Sequence, residues 1–253
     1  SIDFTSLRPI LIFSAGAVVS ISLCQIFFAM LEKRPDIVRQ QALLSRLSLL
    51  SKFLELLLFL TFGWAVLRLY NHLGMTIPVP YTDALLHSWD TALFGGLWND
   101  YFRFVAERSP VIDILDRSYS SLAGVSIFGC YFLLLSGREQ ASRFFVLTFT
   151  TTAFIATTWG MFFPARAAVA TALEAPELLS AFTQKPGWYS VEIIERLRTE
   201  SGIVFDLSYL PGLTTFPSFH TGAGIILAYS YRQSLLFVPV AIYTFFMIAA
   251  TPV

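Results

Sequence analysis

Five stretches of this sequence, 9–31, 118–137, 144–165, 207–231 and 233–253, contain no Asp, Glu, Lys or Arg. Each is near the roughly 20 residues that a helix needs to cross a bilayer. A sixth run, 53–70, carries only Glu55 and Arg68 and crosses if these two sit near opposite faces. The expected fold class is therefore all-α: a polytopic membrane helix bundle of about six transmembrane helices, with the start of the fifth left open. Composition agrees, since 55% of residues are hydrophobic, only 13% are charged and phenylalanine occurs 25 times. A soluble domain of this length needs no such excess to bury its core.

Charge sums to zero but is unevenly placed. The connection 32–52 and the turns at 138–143 and 232 hold eight basic residues against three acidic ones, whereas the long connections 71–117 and 166–206 hold seven against twelve. Positively charged loops stay in the cytoplasm, so the long connections, both chain ends and the head of the fifth helix are expected on the external side. Ser1 is not methionine and Ser1–Leu7 lacks a basic n-region, so the first helix reads as a retained anchor. The sequence closes on Ala249-Ala-Thr-Pro-Val253 within an apolar run, and the expectation is of a fragment. The organisation expected is 1–79, carrying the first two transmembrane helices, and 80–253, a membrane core. Cys24 and Cys130 fall inside spans, where small apolar packing residues are expected rather than a disulfide.

The external connections carry patterns of their own. Over 82–105, Leu85, Leu86, Trp89, Leu93 and Trp98 recur near helical spacing, interrupted by Asp83, Asp90 and Asp100, which predicts an amphipathic helix lying in the interface. Ser109-Pro110 reads as an N-cap followed by proline at the first helical position, starting a helix that runs into the third span. After a Pro186-Gly187 break, Val191, Ile194 and Leu197 share one face of a short amphipathic lid or platform. No dinucleotide fingerprint, Walker loop, zinc spacing, basic nucleic-acid patch or repeat is present, so cofactor, metal and nucleic-acid classes are set aside.

Two helix ends hold the candidate chemistry. In Phe163-Pro-Ala-Arg166, after the threonine-rich stretch 148–158, a guanidinium fork suits a phosphate, or else snorkels to headgroups. The threonines are expected to bond back within their helix or across to a neighbour. In Pro211-Gly-Leu-Thr-Thr-Phe-Pro-Ser-Phe-His-Thr221, Thr215 or Phe216 is expected to cap a helix, with Pro217 early in it. Ser218 and Phe219 then present amides and a hydroxyl as an anion seat, and His220, one turn further in, is either a proton donor or a packing residue. Of the remaining candidates, His72 and His87 read as solvated, Asp83 and Asp90 as facing water or positioning a hydroxyl, and Glu55 as a partner for Lys52.

Phe216-Pro-Ser-Phe-His-Thr221 resembles the second signature, Pro-Ser-Gly-His, of the type-2 phosphatidic acid phosphatase superfamily. Gly212-Leu-Thr-Thr, the Asp83-to-Asp90 segment and the Phe-Pro after the fourth span are similar to its inositol phosphorylceramide synthase-like branch, so the resemblance covers roughly 80–253. It implies that His220 is the general acid, that Ser218 and the Phe219 amide bind phosphate, and that Arg166 stands for the first-signature arginine. Phenylalanine at 219 replaces the usual glycine, Trp159 occupies the place of the first-signature lysine, and no third signature, which would carry a nucleophilic histidine, follows His220. That histidine is expected beyond Val253. The implied activity is a metal-independent lipid phosphatase without cofactor, acting at the external face through a phosphohistidine. The alternatives are headgroup transfer to a lipid alcohol and a non-catalytic transporter or lipid-binding scaffold.

Overall fold

The computed structural model describes residues 2–3, 36–182, 188–206 and 209–252. The expected first span 9–31, Cys24 and the Pro186-Gly187 break lie outside these residues. The chain divides into two compact units, Ser1–Val66 with Val204–Leu210, and Leu67–Ile203 with Pro211–Val253. In the first, Ile2–Asp3 (β1) pairs in parallel with Phe205–Asp206 (β2), Ile2 lying opposite Phe205. The helix α1, Asp36–Met75, starts in that unit and ends in the second.

The second unit is helical. Its elements are α2 (Asp83–Phe94), α3 (Leu97–Ala106), α4 (Ser109–Ser120), α5 (Leu122–Leu135), α6 (Glu139–Phe162), α7 (Ala168–Thr171), a 3₁₀ turn (Pro176–Ala181), α8 (Trp188–Thr199), α9 (Phe219–Tyr231) and α10 (Phe237–Ala249). Among the described residues, Leu47–Met75 and Glu139–Phe162 are each long and apolar enough to cross a membrane. The expected span 118–137 is instead carried by α4 and α5, which pass the same test only as a pair bent by 54°. Side chains compete for the carbonyl at the break: Ser118 O accepts from the Tyr243 hydroxyl at 2.9 Å and from the Ser121 hydroxyl at 3.3 Å, while Ser118 and Ser120 each donate at 2.7 Å to the carbonyl four residues back. α9 begins at Phe219, so the first part of the expected 207–231 run is a loop wherever it is described.

The expected interfacial helix over 82–105 is two helices. Gly95 adopts φ 62°, in the left-handed region that a side chain disfavours, and this separates α2 from α3. Trp98 and Tyr101 of α3 then satisfy the carbonyls at the end of α10. The Trp98 indole donates to Pro252 at 2.8 Å and the Tyr101 hydroxyl to Ala249 at 2.6 Å. The cap of α4 is Arg108 rather than Ser109, with proline in the first turn as expected. In α8, Ile194 and Leu197 are buried.

Two apolar clusters fix the bundle. Leu122, Ala223 and Met247 join α5, α9 and α10, with Phe149 and Phe219 packed against them. Val105, Leu115 and Ala250 join α3, α4 and the end of α10. Cys130 is a buried free thiol within hydrogen-bonding distance of the Ser142 hydroxyl at 3.1 Å. Thr148 and Thr158 bond back to the carbonyls of Phe144 and Phe154. At one end of the bundle, Arg138 donates to the Gln233 carbonyl at 3.0 Å, so the two short basic turns lie together.

At the end carrying α1's last turns, His72 is buried, not solvated. The helix continues to Met75 instead of exiting near Tyr70, and Asn71, His72 and Met75 all turn into the unit. Asn71 accepts from the Leu213 amide at 2.8 Å and donates to the Thr214 hydroxyl at 2.7 Å. Thr214 in turn sits on Gly160, where an added Cβ would come within 2.5 Å of its methyl and 2.9 Å of its hydroxyl. Gly160→Ala should therefore push Thr214 off Asn71 and cost about 1–3 kcal/mol, combining overpacking with a broken buried hydrogen bond. Thermal unfolding in detergent checks this, and an unchanged midpoint would show that the loop yields freely.

Candidate functional site

The site begins where α6 stops. Pro164 cannot continue the helical ladder, so the chain leaves α6 extended and presents Arg166 one residue beyond two carbonyls that need donors. Thr82 supplies both its amide, at 2.8 Å, and its hydroxyl, at 3.1 Å, to the Pro164 carbonyl. Thr215 donates its hydroxyl to the Ala165 carbonyl at 2.5 Å. Residues 81–83 and the segment leading into α9 are thereby both tied to the peptide before Arg166.

Asp83 aims the arginine. Its carboxylate accepts from the Arg166 amide at 2.8 Å and from Nε at 3.2 Å, with the Asp83 side chain only 11% exposed and that of Arg166 39%. Held through Nε, the guanidinium makes no hydrogen bond through its two Nη nitrogens among the described residues. Its plane also lies over the Tyr81 ring, 4.8 Å from the centroid, and Arg198 of α8 lies over the same ring at 4.4 Å. Burial, reinforced by the hydrogen bond that Tyr81 donates to Glu195 at 2.9 Å, pushes the phenol up to about 12, so the ring stays neutral beneath both cations. Arg198 also donates to the Met75 carbonyl at 3.3 Å.

On the α9 side the cap is Ser218, not Thr215 or Phe216, and Pro217 precedes the helix. Ser218 accepts the Thr221 amide on its hydroxyl at 3.3 Å, a short-side-chain N-cap. This leaves the Phe219 and His220 amides as the open donors of the first turn, at the positive end of the helix dipole. The capping hydroxyl keeps its own proton to donate. His220 lies in this first turn and not one turn beyond it. Its ring is held by stacking on Tyr119 of α4, centroids 3.8 Å apart and planes 11° apart, and among the described residues neither ring nitrogen makes a hydrogen bond. Phe219 meets Phe149 edge-on at 5.0 Å and forms an apolar wall beside the imidazole.

Arg68 also reaches this end. Its Nη1 is 3.2 Å from the position a Cβ on Gly212 would take, and its charge acts on His220. The Thr215–Ala165 bond joins the residue before Arg166 to the loop three residues ahead of Ser218, and Phe219 and His220 form the first turn beyond that cap. His87 and Asp90 lie elsewhere: they are exposed on α2 and line a shallow cleft with Asn99 and Ala172, none of whose lining residues belongs to the group above. Asp83, expected to face water or a substrate hydroxyl, is the partner of Arg166. Sequence reasoning missed that pairing, the Tyr81 stack, Tyr119 and the reach of Arg68. For Arg68 a signal existed, since it is one of only two charged residues in the run 53–70.

A family model described as the PAP2 superfamily matches residues 84–253. No curated protein and no solved structure matches the chain. The match covers most of the sequence, includes Arg166 and the whole α9 head, and accompanies apolar helices that mark a membrane protein. The chain belongs to the PAP2 superfamily.

Proposed function

We propose that the protein is a membrane-embedded lipid phosphatase that hydrolyses a lipid phosphate at the external membrane face through a phosphohistidine. Membership of the superfamily points to phosphatase-type activity on lipid phosphates. The observation that carries the reading is the 2.5 Å hydrogen bond from Thr215 to Ala165, which ties the arginine's segment to the helix head bearing the imidazole. A phosphate seated there receives hydrogen bonds from the Arg166 Nη nitrogens, the Phe219 amide and the Ser218 hydroxyl, leaving His220 beside the bridging oxygen. Arginine and helix-end amides supply the charge stabilisation, so no metal is required.

The steps balance as follows. A nucleophilic histidine, of the kind the superfamily's third signature carries, forms a nitrogen–phosphorus bond as the bond to the lipid oxygen breaks, and His220 gives that oxygen a proton. Water then loses a proton to His220 and attacks phosphorus, the nitrogen–phosphorus bond breaks, and inorganic phosphate leaves. The lipid tail enters laterally between helices. With the six apolar runs read from the sequence as crossings, the positive-inside rule makes the turns of Arg138 and Arg232 cytoplasmic and the site external.

A second reading is headgroup transfer, favoured by the likeness of Gly212-Leu-Thr-Thr to the inositol phosphorylceramide synthase-like branch and by the apolar Phe149–Phe219 wall, which disfavours water. Incubating purified protein with a lipid phosphate and a lipid alcohol separates the readings. Free phosphate means hydrolysis, a new headgroup lipid means transfer, and neither product leaves a transporter or scaffold. Activity should be equal with and without EDTA.

His220→Ala should slow turnover by about 10²-fold to 10⁴-fold, the contribution of a positioned acid, and a loss below about tenfold would remove it from that role. Arg166→Lys keeps the charge but cannot hold Asp83 through Nε and the phosphate through paired Nη donors together. Its kcat/KM should drop by about 10-fold to 10²-fold. Phosphate release from mixed micelles measures both, and wild-type kinetics in the lysine variant would show that the fork is not used.

A further inference from the structure

The site just described has a charge deficit if it holds only Arg166. Asp83 lies against that guanidinium, so the pair together offers a phosphate little net positive charge. A phosphomonoester near neutral pH carries between one and two negative charges, and a second guanidinium would add charge and paired donors to those of Arg166 and the helix-end amides. α6 does not provide one, because Trp159, on its last turn, stacks on Phe163 at 4.9 Å. Arg198 lies over the same Tyr81 ring as Arg166 and donates through Nε to the Met75 carbonyl, and its contacts tie it to α1 and Tyr81 rather than to the loop that enters α9.

α1 provides it. Arg68, Asn71 and Met75 recur at helical spacing along one face, and Asn71 and Met75 are buried. Asn71 locks Leu213 and Thr214 by two hydrogen bonds, which fixes the loop entering α9 relative to the turn of α1 that carries Arg68. Glycine at 212 lets the guanidinium lie directly against that loop, since any side chain there would meet Nη1. The same guanidinium is an electrostatic neighbour of His220.

We propose that Arg68 is a phosphate-binding residue of this site, a second guanidinium supplied by α1 from outside the family-matched residues 84–253. This rests on the phosphatase reading and names the group that completes its phosphate pocket. Arg166, oriented by Asp83, and Arg68, oriented by the Asn71 clamp, would grip the phosphate from α6 and α1 while the α9 amides close a third side. The requirement for α1 also gives the first residues of the second unit a chemical role besides anchoring.

The test uses inorganic phosphate as the probe, through its inhibition constant against lipid phosphate hydrolysis and the thermal shift it gives the purified full chain. Arg68→Gln should raise the inhibition constant by about tenfold or more and abolish the thermal shift, and Arg68→Lys, which keeps the charge, should lose less. If Arg68→Gln cannot be purified, Gly212→Ala decides beside Arg68→Lys: its Cβ, 3.2 Å from Nη1, shifts the guanidinium by a few tenths of an ångström and should weaken phosphate by about threefold or more. A wild-type inhibition constant in Arg68→Gln, or in both Arg68→Lys and Gly212→Ala, overturns the proposal, as does a lysine variant no better than glutamine. The phosphatase reading fails separately: wild-type protein that releases no phosphate, or His220→Ala that releases it normally, sinks that reading whatever position 68 does.

Discussion

Beyond the end of α6 the chain is buried at Pro164 and Ala165, whose carbonyls have no helical partner, and the arrangement there follows from how those two are satisfied. Thr82 takes the first with both its amide and its hydroxyl, and Thr215 takes the second. Each bond is a local answer to the cost of an unpaired backbone group, which is several kcal/mol in hydrocarbon. Their joint effect is long-range. They bring the start of α2 and the loop before α9 to the same pair of peptides, and Arg166 is the next residue out. The candidate site is thus built at the place where backbone hydrogen bonding would otherwise fail.

The electrostatic design repeats this economy. Arginine suits the position because its fork divides: Nε and the main-chain amide are taken by Asp83, while the Nη pair points onward. Lysine, a single point donor, cannot be held by one group and present another. Tyr81 accepts two guanidiniums on its ring, and its raised pKa keeps that ring from becoming a phenolate between them. Through Tyr81 and Glu195, α8 is attached to the same cluster, which gives the amphipathic platform read from the sequence a fixed point of contact.

The elements were legible in the sequence to the extent that composition controls them. Apolar runs located α1, α6 and α10, and the Val191, Ile194 and Leu197 periodicity located α8, because burial of one face is a local pattern. Interruptions were harder to read. The Gly95 break and the bend at the α4–α5 junction depend on single backbone angles and hydroxyl geometry within runs that look continuous. His72 was misread because a helix end was placed at Tyr70, five residues before the buried Met75 that the helix actually reaches. The site divides in the same way. Ser218, Phe219 and His220 are neighbours in the chain and announce themselves as a motif. Asp83 and Arg166 are 83 residues apart, and no local pattern pairs them.

Position 219 shows how a departure from a motif can leave its chemistry intact. The anion seat uses the backbone amide of that residue, which phenylalanine retains, so the loss of glycine removes no donor. What changes is the wall: the ring meets Phe149 and joins the cluster of Leu122, Ala223 and Met247. On the proposed mechanism the phosphoryl group waits beside this wall for its acceptor, and an apolar surface lowers the local activity of water relative to a lipid hydroxyl. On that proposal the same side chain that pins α9 to its neighbours also weighs hydrolysis against transfer, so that the packing of the core contributes to the choice of reaction beside the proposed catalytic groups.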